Sequence, residues 1–452
     1  MVPADGKPTP QSEKWLKGSL HGAAITGLVR AAIGQFAPGS AGGPNASAGF
    51  GSDSFVNPWD FVLMLEGSFL FAGAATRRLG SRDVSGSSYP LTVRTTGSGT
   101  GSTGPADESS SRAEIWMPLW NRYIGLSEAN LLFAEGRVTL GRRPVRDGLG
   151  FARAVCSYGA DRGIQAFQRF GFLMRSGKAY LATPMGRRAV RRRPSVDLLN
   201  QLEEYGWLDR LRTFARAEQA PGRIRQLVHR LENAIFALTE FGARQDVQRI
   251  IVLLGQIQQA CAHSSKARQA ISPMPSLSGE WAEKADDGSH EFRIAQALAG
   301  LVHMRTFLVP LREEKGRAQW DEGSHRAVRF SGDLVCTLLH VLDRRLLESR
   351  KKNGDSDKGH PGDVMISRKP TGWSAVAGFL RKETDDARIY ALMNGLVHVR
   401  FEGGPVEMPV ESSGQVPAEF VVLKPFFSPV FMLRKLGLLP ADKDLPCPRL
   451  IL

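Results

Sequence analysis

Two tracts poor in apolar side chains interrupt the first quarter of the chain and limit what it can fold into: residues 38–54 (PGSAGGPNASAGFGSDS) and residues 79–112. Gly, Ser, Thr and Pro dominate both, so neither can bury enough apolar surface to offset the entropy of ordering it, and both are expected to be mobile surface loops. Structure in this region must be assembled from short pieces. Between the tracts, Trp59–Ala75 (WDFVLMLEGSFLFAGAA) is almost wholly apolar. Asn57 is suited to the N-cap and Pro58 to the first helical position, which predicts a buried helix. Inside the second tract, Tyr89–Thr95 alternates as a short strand does.

From Gly148 the pattern changes to helix, then hairpin. GFARAVCSYG is short and amphipathic, and Asp161 is placed to cap a second helix, DRGIQAFQRF. Phe170–Arg175 and Ala179–Pro184 read as strands joined at Ser176-Gly177-Lys178, a hairpin turn. Arg187–Arg193 follows and Pro194 closes the module. Beyond Val196 the spacing is helical: residues 229–262 with a break at Gly242, then 291–308, 332–349 and 385–401, the last capped by Thr384 or Asp385. The polar stretches between them, around 264–288 and 351–372, read as turns.

With 452 residues there is room for two or three domains, and 42% hydrophobic residues are enough for a core. The expected fold is α+β and predominantly helical, a mixed amino-terminal α/β module with a basic β-hairpin followed by a helical carboxy-terminal domain. Its parts are a poorly ordered leader (1–56), the basic module (57–195, with a mobile loop at 79–112) and the helical domain (196–452).

Several chemistries lack their residues. Cys156, Cys261, Cys336 and Cys447 are far apart with no CxxC, so neither a disulfide framework nor a zinc site is written, and the first three are expected to be buried packing residues. The amino terminus has Pro and charge where a signal peptide needs an apolar run, and Pro58–Ala75 is too short and too charged to span a bilayer. The chain is therefore expected to be cytoplasmic. Gly99-Thr-Gly101-Ser-Thr-Gly104 spells GxGxxG but lacks the following helix, so it is read as low-complexity sequence. There is no GxxxxGK[ST], HExxH or GxSxG, and no paired carboxylates are indicated. His303, His340 and His398 lie one per helix beside Leu and Val and read as satisfied core or boundary residues. No catalytic residue, metal or cofactor is expected.

Charge is the feature that survives. The net charge is +14, but arginine abundance alone can reflect high-GC coding. Location separates the two explanations. Between Arg137 and Arg193 stand thirteen arginines and Lys178 against only Asp147 and Asp161, so a net +12 falls within 57 residues. Arginine presents a planar fork to phosphate and can bond guanine edges bidentately. Phe151, Tyr158, Phe167, Phe170, Phe172 and Tyr180 interleave, as if core residues alternated with a basic face. A polyanion, most simply a nucleic-acid backbone, is the partner this pattern fits.

Longer strings carry a resemblance. NPWDFVLMLEGSFLFAGAATRR (57–78), EIWMPLWNR (114–122), LLFAEGRVTLGRRPVRDGLGFARAV (131–155) and YGADRGIQAFQRFGFLMRSGKAYLATPMGR (158–187) resemble landmarks of the large-subunit family of the subtype I-G (formerly I-U) CRISPR surveillance complex. EFRIAQALAGL (291–301), LDRRLL (342–347), DDARIYALMNGL (385–396) and VLKPFF (422–427) are similar to its later landmarks, in the same order. Family members are usually longer, so this chain reads as a shortened member. The resemblance implies a non-enzymatic DNA- and RNA-binding subunit of a ribonucleoprotein complex in antiviral defence. It would sit at the crRNA 5′ end, contact the protospacer-adjacent duplex (PAM recognition) and hold the displaced strand. Its partners would be crRNA, target double-stranded DNA, the backbone and processing subunits, and a helicase-nuclease recruited in trans, with no membrane involved.

Within this frame Arg175 and Lys178 at the hairpin tip approach the duplex, while Arg142, Arg143, Arg146, Arg187, Arg188, Arg191, Arg192 and Arg193 neutralise phosphates. Arg153, Arg162 and Arg169 are equally suited to structural pairing. Two alternatives stay open: a divalent-metal nuclease whose carboxylates converge only in three dimensions, and a general RNA-binding protein.

Overall fold

The computed structural model describes residues 9–31, 54–73, 76–77, 87–88, 91–95, 111–135, 139–140, 143–158, 163–175, 179–314, 317–321, 323, 327–328, 332–353, 367–401, 434, 440 and 442. It divides into two units, residues 1–194 and 195–452, each described by itself. The fold is predominantly helical α+β, as expected. Most of the two Gly/Ser-rich tracts, including the GxGxxG string, lies outside the described residues.

The first unit opens with helix α1 (Pro10–His21), where the Thr9 hydroxyl accepts the Ser12 N–H at 3.1 Å. Strand β1 (Val29–Ala31) then pairs antiparallel with β2 (Ser54–Val56). Part of the region read as a poorly ordered leader is thus folded, because Thr9 and Pro10 supply a complete helix start. Helix α2 (Pro58–Gly73) begins as expected, with Asn57 Oδ1 accepting the Trp59 N–H at 3.1 Å. The Asn57 amide also donates to Trp15 O and Ser19 Oγ, both at 2.7 Å, and Trp59 Nε1 donates to Ser12 Oγ at 3.0 Å. Those bonds from α1 reach only the first turn of α2. Its expected burial is not found: Phe61, Leu63, Met64 and Leu65 are exposed.

The centre of this unit is an antiparallel sheet built from β3 (Thr92–Val93), β4 (Ser111–Trp120), β5 (Ile164–Arg175) and β6 (Ala179–Ala189), in the order β6-β5-β4-β3. Helix α3 (Leu126–Glu135) follows β4, and α4 (Gly148–Tyr158) precedes β5. The hairpin is present and longer than expected, with Ala179 opposite Arg175. The helix expected over residues 161–170 is instead, from Ile164, the start of strand β5. Its core face carries Phe167, Arg169 and Gly171, and the arginine hides the period-two pattern from a reading that counts arginine as surface.

Helix α4 covers this face through aromatic contacts. Phe151 stacks on Trp116 with ring centroids 4.4 Å apart, and Phe167 meets Phe151 edge-on at 5.3 Å. Each such ring contributes about 1.5–3 kcal/mol by leaving water. Beneath them Arg169 and Glu114, both fully buried, pair at 3.0 Å. Trp116 Nε1 donates to Glu114 Oε1 at 2.7 Å, and the Arg169 guanidinium lies 5.1 Å from the Trp116 ring centroid. Buried charges persist when paired and hydrogen-bonded in this way.

In the second unit, α5 (Trp207–Arg216), α6 (Gly222–Phe241), α7 (Arg244–Ala262) and α8 (His290–Ala299) lead to a short α9 (Met304–Leu308). A hairpin of β7 (Leu311–Glu314) and β8 (Arg317–Trp320) precedes α10 (Leu334–Asn353), α11 (Trp373–Leu380) and α12 (Asp386–Leu396). The predicted break falls where Gly242 adopts φ +64°, ending α6. Asp385 caps α12, its carboxylate accepting the Ala387 and Arg388 N–H groups. Helix α7 packs against both α6 and α12, burying Ile250, Ile251, Leu254 and Ile257.

Two expectations for this unit need correction. Residues 291–308 form two helices, because Gly300 O is taken by the Arg368 N–H at 3.0 Å and the chain turns through His303 at φ +68°. Residues 271–278, read as a polar turn, run through the interior with Ile271, Met274 and Leu277 buried. Side chains satisfy their backbone, as a buried irregular segment requires. Trp207 Nε1 donates to Ser272 O at 3.0 Å, Gln258 Oε1 accepts the Met274 N–H at 3.0 Å, and Arg305 Nη2 donates to Met274 O at 2.6 Å.

Candidate nucleic-acid interface

The residues singled out by charge separate into distinct environments. Arg142 and Lys178 lie outside the described residues. Arg143 is placed by its backbone opposite Leu140 in a two-residue pairing, and Arg175 is the last residue of β5, opposite Ala179. Arg146 is exposed, and its carbonyl accepts the Arg94 N–H at 3.0 Å just beyond β3. The remaining five lie on or after β6. Since β3 and β6 are opposite edges of the sheet, Arg146 belongs to one edge and Arg187–Arg193 to the other.

A bulge decides which arginines of β6 face out. Pro184 pairs with Phe170 and Arg187 with Gln168, so Met185 and Gly186 together oppose Arg169. Gly186 takes φ +100°, which a side chain would strain. The extra residue reverses the facing pattern: Met185 and Arg188 turn inward, while Arg187 turns to solvent. Arg188 is only 9% exposed, so in this structure its guanidinium is an inward-facing group and not a surface charge.

Beyond β6, Arg191 and Arg192 are exposed and Arg193 is half-buried. Arg192 Nη1 donates to Ser157 O at 2.5 Å, and the Arg193 N–H donates to Cys156 O at 2.9 Å. These two arginines close the carboxy end of α4, where terminal carbonyls need donors and a cation suits the helix dipole. Burial raises the Cys156 thiol to about 11, against the opposing charges of Arg193 and Arg188. Cys261 is likewise buried and pushed up to about 12, while Cys336, expected in the core, is exposed at the start of α10.

The other basic residues resolve as well. Arg169 is structural, paired with Glu114 on the neighbouring strand. Asp147 caps α4, accepting the Gly150 N–H at 2.9 Å, and Arg153 is buried. Sequence reasoning placed Tyr158 among core aromatics, yet it is 61% exposed, and it did not mark the fully exposed Tyr123. Tyr158 is the last residue of α4 and Tyr123 lies three residues beyond β4, where neither the helical nor the strand period fixes which way a side chain faces.

The histidines differ from one another. His303 and His340 are exposed. His398 is buried, with no hydrogen-bond partner on either ring nitrogen among the described residues. Burial, with the charge of Arg305 adding to it, holds its pKa well below the ordinary histidine value. Among the described residues no three His, Cys, Asp or Glu side chains converge as metal ligands, and no helix is long and apolar enough to cross a membrane. No family model and no curated protein matches the sequence.

Proposed function

We propose that this chain is the large subunit of a type I CRISPR RNA-guided DNA-targeting complex, a binding subunit without catalysis of its own. The reading joins the family resemblance of the sequence to one observation that supports it: at the far end of a long antiparallel hairpin the bulge turns Arg187 of β6 to solvent, and exposed Arg191 and Arg192 follow the strand. Among the described residues β4 pairs with β5 only as far as Leu173, so the hairpin extends beyond it as a two-stranded end; such a ribbon fits the major groove, while flanking arginines neutralise phosphates and fix register. Arg187 and Arg191 supply the backbone contacts, and Arg175 and Lys178 at the tip approach base edges of the short flanking motif. The guide RNA reads the remaining sequence by pairing. The partners are crRNA, target duplex, the other subunits of the complex and a helicase-nuclease acting in trans, in the cytoplasm.

The test is duplex binding by Arg187→Glu/Lys178→Glu across a salt series. Removing one arginine–phosphate pair should lower the slope of log affinity against log salt by about 0.9, with at least a tenfold loss of affinity at low salt. An unchanged slope and affinity would exclude the hairpin from DNA binding. Arg192 and Arg193 are unsuitable for this test because they also hold the end of α4.

A further inference from the structure

Helix α10 (Leu334–Asn353) is apolar on two faces. One is covered: Leu334 and Val341 are buried with Thr337 between them, and this helix meets α12. The other face is open. Val335, Leu339 and Leu342 are 46–50% exposed, and Leu346 continues the same spacing in the sequence. Steps of four, three and four residues are those of the d-a-d-a seam of a coiled coil, narrower than the stripe a helix turns toward its own core. One exposed leucine needs no explanation. Three in register on one helix make a continuous apolar strip, and a strip of that kind marks an interaction site.

A second strip of the same kind fits it, and the bordering residues decide which copy and which direction. With Leu339 at a and Leu342 at d, the bordering e and g positions are Cys336, Leu338, Asp343, Arg345 and Arg350. In a parallel pair each g position faces the e position five residues further along the other helix. That register sets Arg345 opposite the partner's Arg350 on both sides of the seam, and like charges so placed are disfavoured. In an antiparallel pair a meets d, e borders e and g borders g. Leu339 then packs on the partner's Leu342 and Val335 on the partner's Leu346. Leu338 lies beside the partner's Arg345, whose methylene stem suits an apolar neighbour, and Cys336 lies beside the partner's Asp343. No like charges meet at these positions. The face is self-complementary about a two-fold axis between Leu339 and Leu342, as an isologous contact requires.

We propose that α10 is a self-association helix through which two copies of this chain pair antiparallel, with Leu339 and Leu342 of each at the centre. From Val335 to Leu346 the strip runs roughly 18 Å at ~1.5 Å per residue, so the contact is short. It falls at or below the ~1,200 Å² of standard stable interfaces, and the dimer is therefore weak and concentration-dependent. The inference goes beyond the nucleic-acid reading and uses none of the residues assigned to it.

The experiment is sedimentation velocity of the full chain over ~1–100 μM, the range of weak complexes, in ~1 M salt, where a Debye length of ~3 Å suppresses bridging by polyanions. The mass should rise from monomer to dimer across this range. Leu339→Ala/Leu342→Ala should weaken the dimer at least ~100-fold, because four leucines lose their cover at once. Alanine keeps the helix, so the urea midpoint should stay unchanged. Leu339→Met/Leu342→Met, which retains the apolar volume, should still dimerise. Direction is read from disulfides in a Cys336→Ser/Cys447→Ser background. Leu339→Cys mixed with Leu342→Cys should cross-link one variant to the other, and neither should link to itself. A wild type that stays monomeric throughout, a dimer that the double alanine variant retains, or self-linking by each cysteine variant overturns the proposal.

Discussion

In the sheet of the first unit Arg169 and Glu114 are sealed from water 3.0 Å apart beneath Trp116. In the second unit Glu232 is also buried, yet it is reached by two arginines, Arg212 at 2.6 Å and Arg216 at 3.4 Å, and Arg216 stays half open to solvent. The first pair joins β4 to β5 across the centre of a sheet, where every neighbour is protein. The second joins α5 to α6 at a rim, where one charge keeps its hydration. A buried pair costs desolvation on both ions and holds only while both are present, so the sealed pair should be far less tolerant of losing a member than the rim triad.

The largest expected effect tests the sealed pair. Arg169→Ala should destabilise the first unit by about 3–5 kcal/mol, because Glu114 remains in a site closed to water. The double variant Glu114→Gln/Arg169→Met should recover most of that loss in urea unfolding. A loss under about 1 kcal/mol for Arg169→Ala would mean that water reaches the pair. Arg212→Ala comes next, at about 1–3 kcal/mol, since Arg216 still answers Glu232. If Arg212→Ala proved as costly as Arg169→Ala, the distinction between sheet centre and rim would fail.

The third and smallest effect concerns pH in the second unit. His398 is buried and its folded pKa lies below the unfolded value of about 6.5, so the unfolded state binds the proton more readily. The stabilisation is therefore present above about pH 6.5 and is lost as pH falls through the folded pKa, at up to about 1.4 kcal/mol per pH unit. His398→Leu should flatten stability against pH below 6.5, measured by urea unfolding at a series of pH values. An identical slope in the variant would assign the acid sensitivity to other groups.

The same contrast between sheet and helices explains how much was legible in sequence. The helices of the second unit could be read because only Glu232 and Thr239 interrupt the buried apolar positions in the twenty residues of α6, and the 3.6-residue period survives that. Gly242 and Asp385 marked ends correctly, since a left-handed residue and a capping carboxylate are local features. In β5 a single buried arginine removes a large part of a short period-two signal, and residues 164–170 were read as helix. Of the candidate site, the hairpin and the concentration of arginine were readable. The inward turn of Arg188 was not, because a bulge at Met185–Gly186 changes facing without changing the spacing of charges.

What the amino-acid sequence determined by itself is local: helix periods, caps, the hairpin, and a +12 island within 57 residues. Tertiary structure decided which arginines are surface charge and which are core or caps, since pairing with Glu114 or with the α4 carbonyls depends on residues distant along the chain. It also decided that Val335, Leu339 and Leu342 face outward while Leu334 and Val341 of the same helix are covered, because packing takes up only one of two apolar faces. Burial and charge are properties of a place in the fold, and the composition of a segment specifies only what is available to occupy it.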